Sequence, residues 1–241
     1  MNINKECRRV VYQIHNTAVF KNQGGAVLAY FPMYIELQDA PCLVLGGGSI
    51  ACHKVMVLRD FGALVTVIAP EIHDSIKEAD GVECIYREYD GADLEGKVLV
   101  VAATDDTAVN RRISEECRTR GILVNAVDQP EDCDFIFPSY IRKGGVVAAF
   151  SSGGQSPVVT QYLKRKNETV VTDMVGRMAE CLGSLRQTVK DQIPQPWQRK
   201  AVYEKILQIG LAEGQVPEES VIQNILKEME KDGPYEAAEN E

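Results

Sequence analysis

No apolar run in this sequence approaches the roughly 18 residues that a bilayer-spanning helix requires. The opening stretch, MNINKECRRVVYQIHNTAVF, has no long apolar core and no small-residue cleavage site, which speaks against a secretory signal. Cysteine is scattered and odd in number, at Cys7, Cys42, Cys52, Cys84, Cys117, Cys133 and Cys181, with no CxxC pair. That pattern gives neither a disulfide framework nor a thiolate zinc site, and it fits a reduced, cytoplasmic setting. The three histidines, His15, His53 and His73, show no paired ligand spacing, so no metal site is expected. Basic charge is also short: 26 Lys and Arg stand against 35 Asp and Glu, a formal net charge of −9. Nonspecific nucleic-acid binding needs a basic surface and is not expected. An anionic small molecule would need a local basic patch.

What remains is an ordinary globular composition, 45% hydrophobic and 25% charged over 241 residues, enough for one large domain or two small ones. Residues 1–29 carry no sustained period and end in Gly24-Gly25, so they read as an N-terminal extension. From Tyr30 the pattern sharpens. YFPMYIEL is apolar and β-prone, and CLVLG is a short buried-strand run. Ser49 to Asp60 predicts a helix with Ala51, Val55 and Leu58 on one face. LVTVIAP is a second strand, stopped by Pro70. ECIYREY alternates, VLVVAATDD is a buried strand with a polar end, Thr107–Arg120 predicts a helix closed by Gly121, and ILVNAVD is another buried strand. Strands alternating with helices, several without polar alternation, predict an α/β, Rossmann-type, mostly parallel sheet covered on both faces.

After Pro130 the character changes. FIFPSYIRKGGVVAAFSSGG holds two β-prone runs around Arg142-Lys143-Gly144-Gly145, an antiparallel hairpin or arm. Ser156 is a good N-cap with Pro157 at the first helical position. From there to about Met229 the pattern is helical, interrupted near 193–196 and at Gly214, before the polar tail KDGPYEAAENE.

The stretch CLVLGGGSIACHKV places Gly46, Gly48 and Ala51 as G-x-G-x-x-G/A between a strand and a helix. The first glycine permits the turn, the second lets a pyrophosphate approach the backbone, and the small third residue lets helix and strand pack closely. The helix N-terminus adds free N–H groups and a partial positive charge. A dinucleotide over Gly46, Gly47 and Gly48 is the reading; a plain tight turn is the alternative. Glu71 is the nearest carboxylate after the second strand and no arginine sits beside it, which favours NAD over NADP. Thr104-Asp105-Asp106 follows the fourth strand, where loops face the ligand crevice, although Asp105 or Asp106 would equally serve as a helix cap. Asp128 ends ILVNAVD; a carboxylate there is either a general base or a turn former before Pro130.

Together, YFPMYIEL, CLVLGGGSIACHKV, VTVIAPE, VVAATDD, VNAVDQPEDCDFIFP and SSGGQSPV resemble, in that order, the precorrin-2 dehydrogenase and sirohydrochlorin ferrochelatase family, which includes the N-terminal part of the sirohaem synthases. The resemblance runs over about 30–167 and thins in the helical tail. It implies NAD-dependent dehydrogenation of precorrin-2 to sirohydrochlorin, with insertion of ferrous iron in some members. It implies a homodimer built from a Rossmann domain (30–134), a dimerisation region (135–167) and a helical C-terminal region (168–241). Cofactor contacts carry over to Ser49 and Ile50 and to Pro70 and Glu71, and the catalytic aspartate to Asp128. Thr104 and Asp105 would lie near the nicotinamide. Substrate contacts are expected from Asn125, from Arg142, Lys143 and Lys164 in a basic cluster with Arg165 and Lys166, and from the turn Ser152, Gly153, Gly154 and Ser156. Ser152 matches a serine phosphorylated in some trifunctional members. The methyltransferase half of those enzymes does not follow within these residues, so synthesis of precorrin-2 itself is not expected. Two rival readings are a Rossmann module that senses NAD(H) without chemistry, and a chelatase without redox activity.

Overall fold

The computed structural model describes residues 30–231. The expected extension over 1–29 and most of the polar tail lie outside the described residues. The chain divides after Phe137 into two compact units.

The first unit is a five-stranded, fully parallel sheet. Its strands are β1 (Pro41–Leu45), β2 (Leu64–Ile68), β3 (Val82–Ile85), β4 (Leu99–Ala102) and β5 (Leu123–Ala126), in the order β3-β2-β1-β4-β5. β1 pairs with both β2 and β4, with Leu45 opposite Ile68 on one side and Ala102 on the other. The strand order reverses on either side of β1, and in such sheets the ligand crevice opens at that switch, beyond the strands' carboxyl ends. Every residue of β4 is buried, as expected for a strand covered on both faces.

Helix α1 (Ser49–Asp60) follows β1 and buries Ala51, Val55 and Leu58, the predicted face. These residues pack with Val44, Val67, Ile72 and Ile76, the last from the short helix α2 (Asp74–Lys77). Helix α3 (Thr107–Arg120) covers the opposite face, where Ile113 and Cys117 join Leu43, Val100 and Val124. Burying each such aliphatic side chain contributes about 1.5–3 kcal/mol. Gly121 closes α3 in the left-handed conformation, φ 67°.

Two β-prone stretches behave differently from expectation. YFPMYIEL joins no strand: Phe31, Met33, Tyr34 and Ile35 are exposed, Pro32 lacks the N–H that a ladder needs, and both edges of β1 are already taken. ECIYREY is a strand only through Ile85. Beyond it Arg87 turns to Asp93 and the Tyr89 hydroxyl donates to Glu116 at 2.7 Å, so side-chain partners replace the ladder.

The second unit begins with the hairpin β6 (Ser139–Lys143) and β7 (Val146–Phe150), antiparallel with Lys143 opposite Val146. The two-residue turn Gly144-Gly145 has Gly144 at φ 57°, as this kind of turn requires. Five helices follow: α4 (Pro157–Asn167), α5 (Asp173–Ser184), α6 (Arg186–Gln192), α7 (Pro196–Glu213) and α8 (Glu219–Lys231). Ser156 caps α4, accepting from the Val159 N–H. Met178, Val189, Val202, Ile206, Ile222 and Leu226 form this unit's core.

Candidate functional site

The bend after β1 uses each of its three glycines for a different physical reason. Gly46 sits at φ 116°, and a Cβ there would overlap the Ala103 carbonyl oxygen. Gly47 has an ordinary backbone, but a Cβ would overlap the Glu71 carbonyl oxygen; its own carbonyl accepts from the His73 N–H at 2.8 Å. Gly48 is the reverse case, since nothing lies within 4 Å of where its Cβ would be. The first two glycines therefore hold the bend against the loops after β4 and β2, and the third leaves its outer side open. Gly48 is also the N-cap of α1, with no side-chain cap bond and no acidic residue in the first turn. An open, uncapped helix N-terminus behind an empty glycine position suits a diphosphate. Ser49 and Ile50 are exposed on this first turn, while Ala51 is fully buried against the sheet.

Pro70 and Glu71 lie exposed just past β2. A free carboxylate at that place accepts from a ribose hydroxyl and repels a 2′-phosphate. Past β4, the Thr104 hydroxyl donates to Asn110 Oδ1 at 2.7 Å, and the Asn110 amide donates back to the Thr104 carbonyl at 3.0 Å. Asn110 is only 2% exposed. It is a loop-fixing residue that sequence reading passed over, because a polar residue on a helix face gives no signal until its neighbour in space is known. The cap of α3 is Asp106, which accepts from the Ala108 and Val109 N–H groups at 2.8 and 3.2 Å. Asp105 is thereby left exposed beside Thr104.

Asp128 follows β5 at φ 59°, a left-handed conformation that favours glycine and is tolerated by Asp and Asn. It is exposed. The loop carrying it is anchored from behind: Arg111 Nε donates to Asp132 Oδ2 at 3.0 Å, Arg118 Nε to Asp134 Oδ1 at 3.2 Å, and Ser114 Oγ to the Asp132 carbonyl at 2.7 Å. Gln129 is buried and donates to the Thr107 carbonyl. A corner held in a strained conformation by so many contacts has a fixed direction. Asn125, expected to touch substrate, is instead buried, and its amide donates to the Phe135 carbonyl at 2.9 Å. Its position on β5, where residues are covered on both faces, draws it into the scaffold.

Lys54 completes this corner and was missed in the sequence, where it reads as one more polar position on α1. It is half-buried, and its ammonium lies 4.2 Å from the centre of the Phe137 ring. Burial lowers its proton affinity, with Cys133 and Asp128 acting in the opposite sense.

In the second unit two members of the expected basic cluster have partners that the structure shows. Lys143 pairs with Asp173 at 3.0 Å, and Lys164 sits over the Tyr140 ring. Arg142 is exposed on β6. Ser152 closes the turn before α4: its hydroxyl accepts from the Ser156 N–H at 2.9 Å and donates to the Ser156 carbonyl. Gly153 and Gly154 take positive φ, 63° and 82°. Ser152 thus serves the turn first. A cavity of about 480 Å³ in this unit is lined by Arg186, Lys190, Arg199 and Lys200 with Tyr203 and Glu204, none of them singled out in the sequence. Among the described residues no group of three or more His, Cys, Asp or Glu could hold a metal ion, and no helix is long and apolar enough to cross a membrane.

Comparison with known proteins agrees with this layout. Residues 33–139 match a family described as NAD(P)-binding, and residues 174–214 match the sirohaem synthase dimerisation region. The latter match begins after the 135–167 stretch. The sirohaem synthase of Methylobacillus flagellatus is 41% identical over 180 residues, 73% of this chain and 38% of that protein. That of Thioalkalivibrio sulfidiphilus is 41% identical over 182 residues, 74% of this chain and 37% of that protein. The chain therefore spans under two fifths of the length of these relatives. Among solved structures, SirC, a precorrin-2 dehydrogenase, superposes with a TM-score of 0.63 over 84% of this chain and 100% of its own, at 22% identity, a likeness of fold. Two family regions in the same order, joined to relatives of 41% identity, settle the kinship: the chain belongs to the precorrin-2 dehydrogenase and sirohaem synthase family.

Proposed function

We propose that this protein oxidises precorrin-2 to sirohydrochlorin with NAD⁺. The observation that carries the reading is the crevice at the strand-order switch. An open glycine bend with an uncapped helix behind it and the exposed carboxylate of Asp128, on a loop anchored from behind, both lie beyond the carboxyl ends of the same sheet. Relatives named for sirohaem synthesis support the choice of substrate.

In this reading the Gly46–Gly48 bend and the first-turn amides of Ser49 and Ile50 hold the cofactor's diphosphate. Pro70 and Glu71 meet its adenosine ribose, and Thr104 and Asp105 border the nicotinamide. NAD⁺, when bound, supplies the hydride acceptor. The reaction also releases a proton, and Asp128 is the base that takes it, since its carboxylate is exposed at the crevice on an anchored loop. The protein's contribution is orientation. Carboxylate contacts to the macrocycle are assigned to Arg142, Lys143 and Lys164 and to the Gly153–Ser156 turn. Asn125 acts indirectly, by holding the loop that carries Asp128. We assign a homodimer whose contact uses the 174–214 helices, with 135–167 as an arm before them, and a cytoplasmic setting in keeping with six described cysteines that are all free thiols.

The test is anaerobic incubation of the protein with precorrin-2, with and without NAD⁺ and with and without Fe²⁺, followed by absorbance. Sirohydrochlorin appearing only with NAD⁺ is expected. A further change on adding Fe²⁺ would add iron insertion to the activity. Unchanged precorrin-2 in the presence of NAD⁺ would contradict the proposal, and metal insertion alone would favour a chelatase without redox chemistry.

A further inference from the structure

The Lys54 ammonium occupies an unusual place. It projects from α1, the helix that opens at the glycine bend, to the segment after β5 that carries Asp128. The Phe137 ring forms its floor, and Phe135 packs against Phe137 at 5.3 Å between ring centres. Among the described residues the ammonium makes no ion pair and rests on that ring instead. The groups facing it are few. Cys133 is held protonated by burial, which pushes its thiol up, and the nearby Tyr30 phenol is pushed up for the same reason. Behind Cys133, the carboxylates of Asp132 and Asp134 are engaged with Arg118 and Arg111. Among the described residues, Asp128 is the carboxylate that acts on the ammonium. A ring face satisfies a cation only in part, and a half-buried ammonium with donors to spare is poised for an incoming anion.

We propose that Lys54 is a specificity-determining residue that binds a carboxylate side arm of the tetrapyrrole and so places the reacting ring edge beside Asp128. The inference rests on the function proposed above. A carboxylate on Lys54 supplies the charge-assisted hydrogen bonds that the ring cannot, and it fixes the macrocycle at the same corner as the base. Burial favours loss of the Lys54 proton. The anchor therefore weakens as pH rises through that lowered range, earlier than an exposed lysine would.

The experiment measures equilibrium binding of sirohydrochlorin, by absorbance change, to wild type, Lys54→Met and Lys54→Arg, with NAD⁺ affinity and thermal unfolding as controls. Methionine keeps the apolar stem on Phe137, and Lys54→Gln stands in should Lys54→Met fail to fold. We expect Lys54→Met to bind sirohydrochlorin about tenfold more weakly, the loss of about 1.4 kcal/mol, with NAD⁺ affinity unchanged. Lys54→Arg should recover most of the binding. In turnover, KM for precorrin-2 should rise by more than kcat falls. The part of the alkaline decline in tetrapyrrole affinity that sets in before an ordinary lysine would lose its charge should be present in wild type and absent from Lys54→Met. A Lys54→Met protein that folds and binds sirohydrochlorin as wild type does would overturn the inference while leaving the functional reading intact. A wild-type protein without affinity for sirohydrochlorin would overturn both.

Discussion

Replacing two glycines of one bend should separate folding from cofactor binding. Gly46→Ala forces a Cβ onto a residue at φ 116° and into the Ala103 carbonyl. Backbone strain of about 1–3 kcal/mol and the overlap together make a loss of about 2–4 kcal/mol reasonable, a large part of a typical total of about 5–15 kcal/mol. Gly48→Ala adds the same methyl where nothing lies within 4 Å and where φ is −80°. Alanine is a poorer N-cap than glycine by some tenths of a kcal/mol, offset by about 0.4–1 kcal/mol from the stiffer unfolded chain. Stability should therefore change by less than about 1 kcal/mol. The same methyl projects into the space assigned to the diphosphate, so NAD⁺ affinity should fall at least about tenfold. Urea unfolding gives the first quantity and titration calorimetry the second. A Gly48→Ala protein that binds NAD⁺ as tightly as wild type would refute the cradle, whatever its stability.

Three further outcomes are expected. Asp128→Asn should lower kcat by about a hundredfold or more, as for loss of a general base, while unfolding and NAD⁺ affinity hold, because Asn tolerates φ 59° as Asp does. Asn110→Ala should cost about 1–3 kcal/mol in urea unfolding, because it strands the part-buried partner groups of Thr104; a loss below about 0.5 kcal/mol, read on the same scale, would remove Asn110 as the loop's anchor. The Arg87 hydrogen bond holds the Asp93 carboxyl below its ordinary value of 3.8. Its contribution is therefore present above that value and is lost as pH falls through the folded one. The stability gap between wild type and Asp93→Asn at neutral pH, small for so exposed a partner, should close in strong acid; a gap independent of pH would contradict the pairing.

Much of the Rossmann unit was legible because its signals are local. CLVLG, VLVVAA and ILVNAV are too uniformly apolar to be anything but covered strands, and Gly121 and Ser156 mark helix ends by conformations and hydrogen bonds that depend only on neighbours in the chain. What the sequence concealed depends on residues distant in the chain. YFPMYIEL has the composition of a strand but pairs with none, and both edges of the strand that follows it, β1, are taken by β2 and β4. Gly47 reads as a spare glycine until the Glu71 carbonyl is seen against it. Asn125 has the place of a substrate contact and the bonds of a scaffold residue. Lys54 looks like surface on a helical wheel, and only the return of the chain through Phe137 makes it part of the corner.

The most direct test of the account is a single-turnover experiment without oxygen, in which NADH and sirohydrochlorin are quantified together from precorrin-2 and a small excess of NAD⁺. The account predicts one NADH for each sirohydrochlorin formed, with both slowed about a hundredfold or more in Asp128→Asn. Cofactor that binds yet stays oxidised while precorrin-2 persists would contradict it.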